Sequence, residues 1–249
     1  MNATLKRVLG YLGAVAALLL GWAAASLLIG SPALPLPTEA FQPLLDGLPE
    51  ILPQAGISFM RIAVAMVAGM ALALPLGLYV GRSPKIDRVF APLLYLLYPI
   101  PKVVFLPVLL VLLGLGDAPK IVLIGIVIFF QTLVTARDAA RNIPEGHITS
   151  VRSLGASGLQ IARHVVLPAS LPDVFTALRI NTGTAIAILF LAESIAGNTG
   201  LGYYISDAWG MINYPAMFAG IIAMALLGVV LYELINAIEH RLLRWKSPQ

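Results

Sequence analysis

The side chains able to do chemistry in this sequence are few, and none of them is arranged for catalysis. Lys102 lies in Tyr-Pro-Ile-Pro-Lys (98–102), and Asn181, Thr182, Thr184 and Glu193 lie in an apolar run near 174–196. In hydrocarbon such groups cost a few kcal/mol unless they face protein or water, which makes them candidates for a polar path or gate. Asn181 and Thr184 are three apart, with Thr182 beside them, and could line a central path. The other reading is that threonine bonds back to its own helix. Glu193 either holds a gate or bonds to the glycine-rich loop that follows it. Lys102 attracts an anion, pairs with an acid or snorkels outward, and Arg61 is read as snorkelling. His147, His164 and His240 show no metal-ligand spacing, and there is no cysteine, so no metal site is expected. No Gly-x-Ser-x-Gly elbow is present. The phosphate loop G-x-x-x-x-G-K-[ST] is also absent; GLYVGRS (77–83) is the nearest fragment and lacks the lysine. Its Gly-x-x-x-Gly spacing is read only as helix packing. The chain is therefore expected to be no enzyme and to hold no cofactor. Energy for any transport must come from a partner or an ion gradient.

A second concentration of polar residues is TSVRSLGASGLQIARHVVLPASLP (149–172), which has apolar runs on both sides. Val151, Leu154, Gly158, Ile161 and Val165 recur at spacings of three and four, which predicts one helical stripe. Arg152, Ser153, Gln160 and Arg163 point elsewhere. Gly155 and Gly158 each weaken a helix by about 1 kcal/mol relative to alanine, so two short helices with a bend are expected. Pro168 and Pro172 then set the start of the next long helix. An element resting on lipid headgroups would show Trp or Phe anchors and several lysines. This one has neither, which favours docking on a protein.

These residues must be positioned by membrane helices. The 249 residues are 59% hydrophobic and 11% charged, against about 25% charged in soluble domains. Mean hydropathy is +0.90. A spanning helix needs roughly 20 mostly apolar residues, and six segments qualify, near 8–30, 57–81, 89–114, 119–136, 174–196 and 215–240. The first is too long for a signal peptide and is read as a retained helix. The fold class is an all-α integral membrane protein of about six transmembrane helices. Residues 1–56 form a spanning helix and an external amphipathic segment. That segment lies along the interface or caps the outer mouth, or is a loop with one short helix. Residues 57–249 form a core of five spans that carries the polar segment 145–168.

Lys6 and Arg7, then Arg82, Lys85 and Arg88, then Arg137, Arg141, Arg152, Arg163 and Arg179, and finally Arg241, Arg244 and Lys246 fall on one side. The other side holds Glu39, Asp46, Glu50, Asp117 and Asp207, with Lys120 just past it. By the positive-inside rule both termini and the polar segment are expected in the cytoplasm.

Gly155, nine residues, then Val165-Val166-Leu167-Pro168 resembles the cytoplasmic signature of permease subunits of binding-protein-dependent ATP-binding-cassette (ABC) importers. That signature reads Glu-Ala-Ala, three residues, Gly, nine residues, Ile, one residue, Leu-Pro. Thr149, Ser150 and Val151 stand at the Glu-Ala-Ala positions, and Glu145 lies four residues before them. The stretches 82–117, 153–180 and 192–205 are similar to the nitrate, sulfonate and bicarbonate (taurine-like) subgroup, and the likeness covers roughly 57–245.

The resemblance implies the type I ABC importer permease fold in a bacterial inner membrane, multi-pass. It further implies a homodimer with two cytoplasmic ATPase subunits, which bind ATP and Mg2+, and an external solute-binding protein. Segment 145–168 would be the coupling helix. Val151, Leu154, Gly155, Ala156, Ile161, Leu167 and Pro168 would supply its apolar and bending positions, and Arg152 and Arg163 its polar rim. GNTGLGYYI (197–205) would be a flexible outer loop that touches the binding protein or simply turns. Glu193 resembles an acidic position of this subgroup. Membrane lipid is the other expected partner, and nucleic acid is not expected. An ion-coupled secondary transporter is the alternative; it would need a midplane ion site and usually inverted repeats.

Overall fold

The structure, a computed structural model, describes residues 3–245. Lys246 lies outside the described residues, as do the side chains of Lys6 and Arg7. Among the described residues every element is helical. α1 (Ala3–Ile29) and the short α2 (Pro37–Asp46) precede α3 (Leu48–Arg82). α4 (Pro84–Leu97), a 3-10 turn (Lys102–Phe105) and α5 (Leu106–Leu113) follow, then α6 (Asp117–Arg141). α7 (Glu145–Ser153), α8 (Gly158–Ile161) and a π-turn (Ala162–Val166) lead into α9 (Leu167–Ala196). α10 (Leu201–Gly210) and α11 (Tyr214–Leu242) complete the chain.

Four runs are long and apolar enough to cross a membrane: Leu48–Arg82, Asp117–Arg141, Gly158–Ala196 and Tyr214–Leu242. They account for four of the six expected spans. The segment expected as one span over 89–114 is instead α4 and α5, bent by 78° at the intervening break. Pro99 and Pro101 each lack an N–H, so the α ladder cannot run through Tyr98–Pro101. The first expected span falls on α1, whose apolar run among the described residues, Gly13–Ile29, is shorter than those four runs.

The span expected from 57 starts nine residues earlier, at Leu48, with Pro49 in the first turn, where a missing N–H is tolerated, and the helix runs on through Pro53 and Pro75. The segment before α3 contains one short helix, α2, which buries Ala40 and Leu44 against α11. α1 reaches the same face. Trp22 Nε1 donates to Pro35 O at 2.9 Å, and its ring stacks on Phe218 at 5.3 Å.

The core sits between α3, α6, α9 and α11, with α10 closing one end. α3 and α6 share the most extensive interface. Gly77 is the reason they approach so closely. A Cβ there would lie 2.7 Å from Leu133 O and 2.8 Å from the Ala136 Cβ. Gly81 abuts Arg137 and Gly69 abuts Gly125 along the same stripe. This is small-residue packing, which replaces the hydrophobic drive that lipid cannot supply between helices. Outside the core, large aliphatics stay exposed, among them Leu72, Val111, Ile180, Ile195 and Val229. Lipid can cover such a surface.

Overpacking the α3–α6 contact is expected to cost about 1–3 kcal/mol. Gly77→Leu should lower the melting temperature of the purified protein in detergent, while Gly146→Ala, where nothing approaches within 4 Å, should not lower it. Equal melting curves for both variants would contradict the close-packed interface.

Candidate functional site

The candidate side chains fall in three places. The first is the bent segment at the basic end. α7 stops at Ser153, and Gly155 takes φ +84°, a left-handed conformation that ends helices and favours glycine. Ser157 restarts the chain as a helix. Its Oγ accepts from Gln160 N, and its own N–H donates to Gln160 Oε1 at 2.7 Å. This reciprocal cap is written in Ser-Gly-Leu-Gln (157–160), a signal visible in the sequence. The glycine bend expected here is present.

The expected single stripe is not, because the break at Leu154–Ser157 rotates the two halves apart. Ile161 is 6% exposed and packs with Ala140, Ile143, Ile148 and Val166. Val151, Ala156 and Val165 lie against the same cluster. Leu154 and Leu159 are 86% and 80% exposed instead, with Arg152 and Arg163 exposed beside them. Leu159, which the stripe omitted, is thus one of the two aliphatic tips.

Pro168 lies in the first turn of α9, as expected. The helical run continues from Gly158 to Ala196. The π-turn accommodates Pro168: Leu167 N–H bonds back five residues to Ala162 O, which loosens the ladder where Pro168 offers no donor. Pro172 lies inside α9. Leu167 and Pro168 are half-buried. Ion pairs fix this end from behind. Arg82 meets Glu145 at 2.8 Å, and Arg137 is bonded to Asp87 through both Nε and Nη2.

The second place is the opposite, acidic end. Arg61, expected to snorkel, is 1% exposed. Its guanidinium carries five N–H donors, and five bonds use them. Nε and Nη2 donate to Asp117 Oδ1 at 2.8 and 2.5 Å, and Nη1 to Glu193 Oε1 at 2.6 Å. Nη1 and Nη2 reach Thr199 O and Oγ1 at 2.9 and 2.8 Å. Glu193 is fully buried and also accepts from Ser58 Oγ at 2.9 Å and Gly202 N at 2.8 Å. Of the two readings of Glu193, the bond to the glycine loop is observed directly.

That loop is tied to α3 and α9, and Gly200 N–H donates to Gln54 Oε1 at 2.6 Å. Gly200 takes φ +103°, and a Cβ on it would overlap the Glu193 carboxylate. α10 starts immediately afterwards, at Leu201, whose N–H donates to Ser58 Oγ. Sequence reading missed Ser58, Asp117 and Thr199 as partners. They come from three distant elements, and no local pattern joins them.

The third place is the crook of the α4–α5 bend. In an unbroken helix Leu97 O would accept from residue 101, which is Pro101 and has no N–H. Lys102 Nζ replaces that donor, bonding Leu97 O at 2.8 Å and Tyr98 O at 2.5 Å. Its ammonium also lies 5.4 Å from the Tyr98 ring centre and 5.0 Å from that of Phe130. Lys102 therefore caps a helix C-terminus; it neither pairs with an acid nor snorkels.

A cavity of about 370 Å³ opens here, and Thr184 lines it. Asn181 does not: it is buried, and its Nδ2 has no hydrogen-bond partner. Thr182 Oγ1 donates back to Leu178 O at 3.0 Å, the self-bonding alternative. The helix face expected to carry Asn181 and Thr184 together is thus split between core and cavity.

The buried ionic cluster sets an order of severity. Arg61→Leu leaves Glu193 buried with no cation bonded to it and is expected to cost about 3–5 kcal/mol. Glu193→Gln leaves Arg61 still held by Asp117 and should cost less. Thermal unfolding of the two variants in detergent checks the order; the reverse order would refute this account of the cluster.

Three comparisons with known proteins bear on this geometry. Residues 73–244 match the family described as "Binding-protein-dependent transport system inner membrane component". The chain is 31% identical over 243 residues to the taurine transport system permease protein TauC of Escherichia coli, covering 94% of this chain and 88% of TauC. It is 29% identical over 191 residues to the putative aliphatic sulfonates transport permease protein SsuC of Bacillus subtilis, covering 77% and 69%. In structure it resembles the inward-facing MetNI methionine ABC transporter, with TM-score 0.62 and 26% identity over 80% of this chain and 96% of that one. The six-helix expectation and the bent polar segment led to the same family as these matches. The chain belongs to the inner-membrane permease components of binding-protein-dependent ABC transport systems.

Proposed function

We propose that this permease passes small sulfonate-type organic anions into the cytoplasm, as a pair of copies driven by two ATPase subunits and fed by an external solute-binding protein. The names of the taurine and aliphatic-sulfonate relatives support the solute class. The arginines and lysines gathered at one end support a cytoplasmic position for that end and for both termini. ATP and Mg2+ would be held by the ATPase partner.

One observation carries the mechanism. The helical run Gly158–Ala196 covers 39 residues, roughly 58 Å at 1.5 Å per residue. It joins the exposed tip Leu159 at one end, with Leu154 just across the break before Ser157, to buried Glu193 at the other. The Ile148–Ile161–Val166 cluster and the Arg82–Glu145 pair bind the segment to α3 and α6, so a push on the tips is passed to the helix ends. Leu154 and Leu159 would enter an apolar cleft on the ATPase, with Arg152 and Arg163 as its polar rim. Ile161 and Val166 stiffen the lever from inside. Closure of the ATPase pair on ATP would then move α9, with the Arg61–Glu193–Asp117 cluster at its far end. Such coupling needs two arrangements that nucleotide binds unequally.

The family favours an ATPase motor over an ion gradient. The expected outcome is that an ATPase co-purifies with the chain and that proteoliposomes take up taurine only with ATP and the loaded binding protein. Uptake that persists without ATP under an ion gradient would overturn the reading. Gly155→Pro forces φ near −65° where +84° is required. It should abolish solute-stimulated ATP hydrolysis while membrane insertion is retained, and normal stimulation would refute the lever.

A further inference from the structure

We propose that the crook of the broken α4–α5 pair is a solute contact site that takes the anionic head of a short organic sulfonate on Lys102 and its polar tail on Gln131. This inference rests on the sulfonate reading of the function and adds where in the chain the solute is held.

The crook lies deep in the membrane. Gln131 is 14 residues past Asp117 at the acidic end of α6, and Thr184 is 12 residues before Ala196 at the same end of α9. At 1.5 Å per residue those distances are roughly 21 and 18 Å, near the middle of a core about 30 Å thick. A lysine at that depth is expensive in lipid and is kept where it faces protein, water or a ligand. Lys102 lines the cavity with Tyr98, Phe130, Gln131 and Thr184, and no Asp or Glu joins the lining. Among the described residues no carboxylate lies within ion-pair distance of Lys102.

The donor arithmetic leaves room for a ligand. An ammonium has three N–H donors. Two go to Leu97 O and Tyr98 O, and the third is left for an anion. The two carbonyls hold the ammonium in place before any solute arrives, so little side-chain freedom is lost on binding. Thr184 is exposed in the cavity and offers a hydroxyl donor.

Gln131 supplies the second point of recognition. Its Oε1 has no hydrogen-bond partner and is turned away from solvent, while the residue lines the cavity, so a rotation of the terminal amide presents the unmatched oxygen to a ligand there. A buried acceptor left unmatched costs about 1–3 kcal/mol, and a ligand that donates to it removes that cost. A cation for the head and an unmatched acceptor for the tail match an aminoalkanesulfonate: sulfonate on Lys102 and Thr184, ammonium on Gln131. An alkanesulfonate without the amine would use the first point alone. The contact is transient by design, since a solute in transit must also leave.

The test uses the assembled transporter with its ATPase and binding protein in proteoliposomes, with taurine and ethanesulfonate as probes. Loss of one charge-assisted contact corresponds to about tenfold or more. Lys102→Met should therefore raise the half-saturating concentration of both sulfonates by about tenfold or more, and Lys102→Arg should recover most of the loss. Gln131→Leu should weaken taurine and spare ethanesulfonate. That variant and Thr184→Val leave the Lys102 cap intact, so they decide the case even if Lys102→Met folds poorly.

Wild-type uptake of both sulfonates that is unchanged in Gln131→Leu and Thr184→Val would overturn the site and leave the sulfonate reading standing. Absence of wild-type uptake would overturn the sulfonate reading. The site is then judged by equilibrium binding of ethanesulfonate to the purified transporter. Saturable binding lost in Lys102→Met and kept in Lys102→Arg supports the site, and its absence overturns it.

Discussion

In hydrocarbon a polar group has no solvent to turn to, so it must find its partner within the protein. This constraint accounts for the arrangement of the buried cations and of two of the helix breaks. Arg61 uses every N–H it has on groups from α6, α9 and the loop before α10. Lys120, fully buried, donates to Leu115 O and Gly116 O, the loose carbonyls between α5 and α6. Lys102 does the same for the end of α4. Leu167 bonds five residues back where Pro168 interrupts the ladder. Arg61, Lys102 and Lys120 are each matched to a carbonyl or carboxylate, and the ladder gaps at Pro101 and Pro168 are bridged by Lys102 and by the Leu167 bond.

The ties divide the molecule into two fastened ends joined by long helices. At the acidic end the Arg61 cluster holds α3, α6 and the start of α10 to Glu193 of α9. At the basic end Arg137 holds Asp87 of α4, and a small apolar cluster holds the bent segment. Between them α3 and α6 meet backbone to backbone through Gly69, Gly77 and Gly81. α9 belongs to both ends. A displacement of its inner continuation cannot be absorbed by a loop, because no loop separates that continuation from the span. The crook of α4–α5 lies outside both fastened ends, and α5 exposes Val111 and Leu112. A cavity at that bend can change shape without unfastening either end.

Much of this was legible from residue types and spacing. Few charges and long apolar runs fix a helical membrane protein, because lipid leaves the backbone few alternatives. Gly155 with Leu167-Pro168 marks a bent segment followed by a long helix. Local chemistry sufficed there, since a left-handed residue and a missing N–H act within one helical turn. The bend at Tyr98–Pro101 was equally local, yet the continuous apolar composition of 89–114 hid it. Hydropathy measures solubility in lipid and not continuity of the ladder.

The sequence by itself determined the class of protein, the charge asymmetry of its two sides and the family signature. Only the tertiary structure decided what each polar residue does. Arg61 and Glu193 are 132 positions apart and meet at 2.6 Å, a contact with no periodic trace in the chain. Asn181 and Thr184 share a helix face by spacing, but the neighbouring helices bury the first and leave the second open to a cavity. Leu159 became a tip and Ile161 an internal wedge because a break of a few residues turned the stripe. Periodicity reports which side chains lie on one face of a helix. What covers that face depends on helices that arrive from elsewhere in the chain.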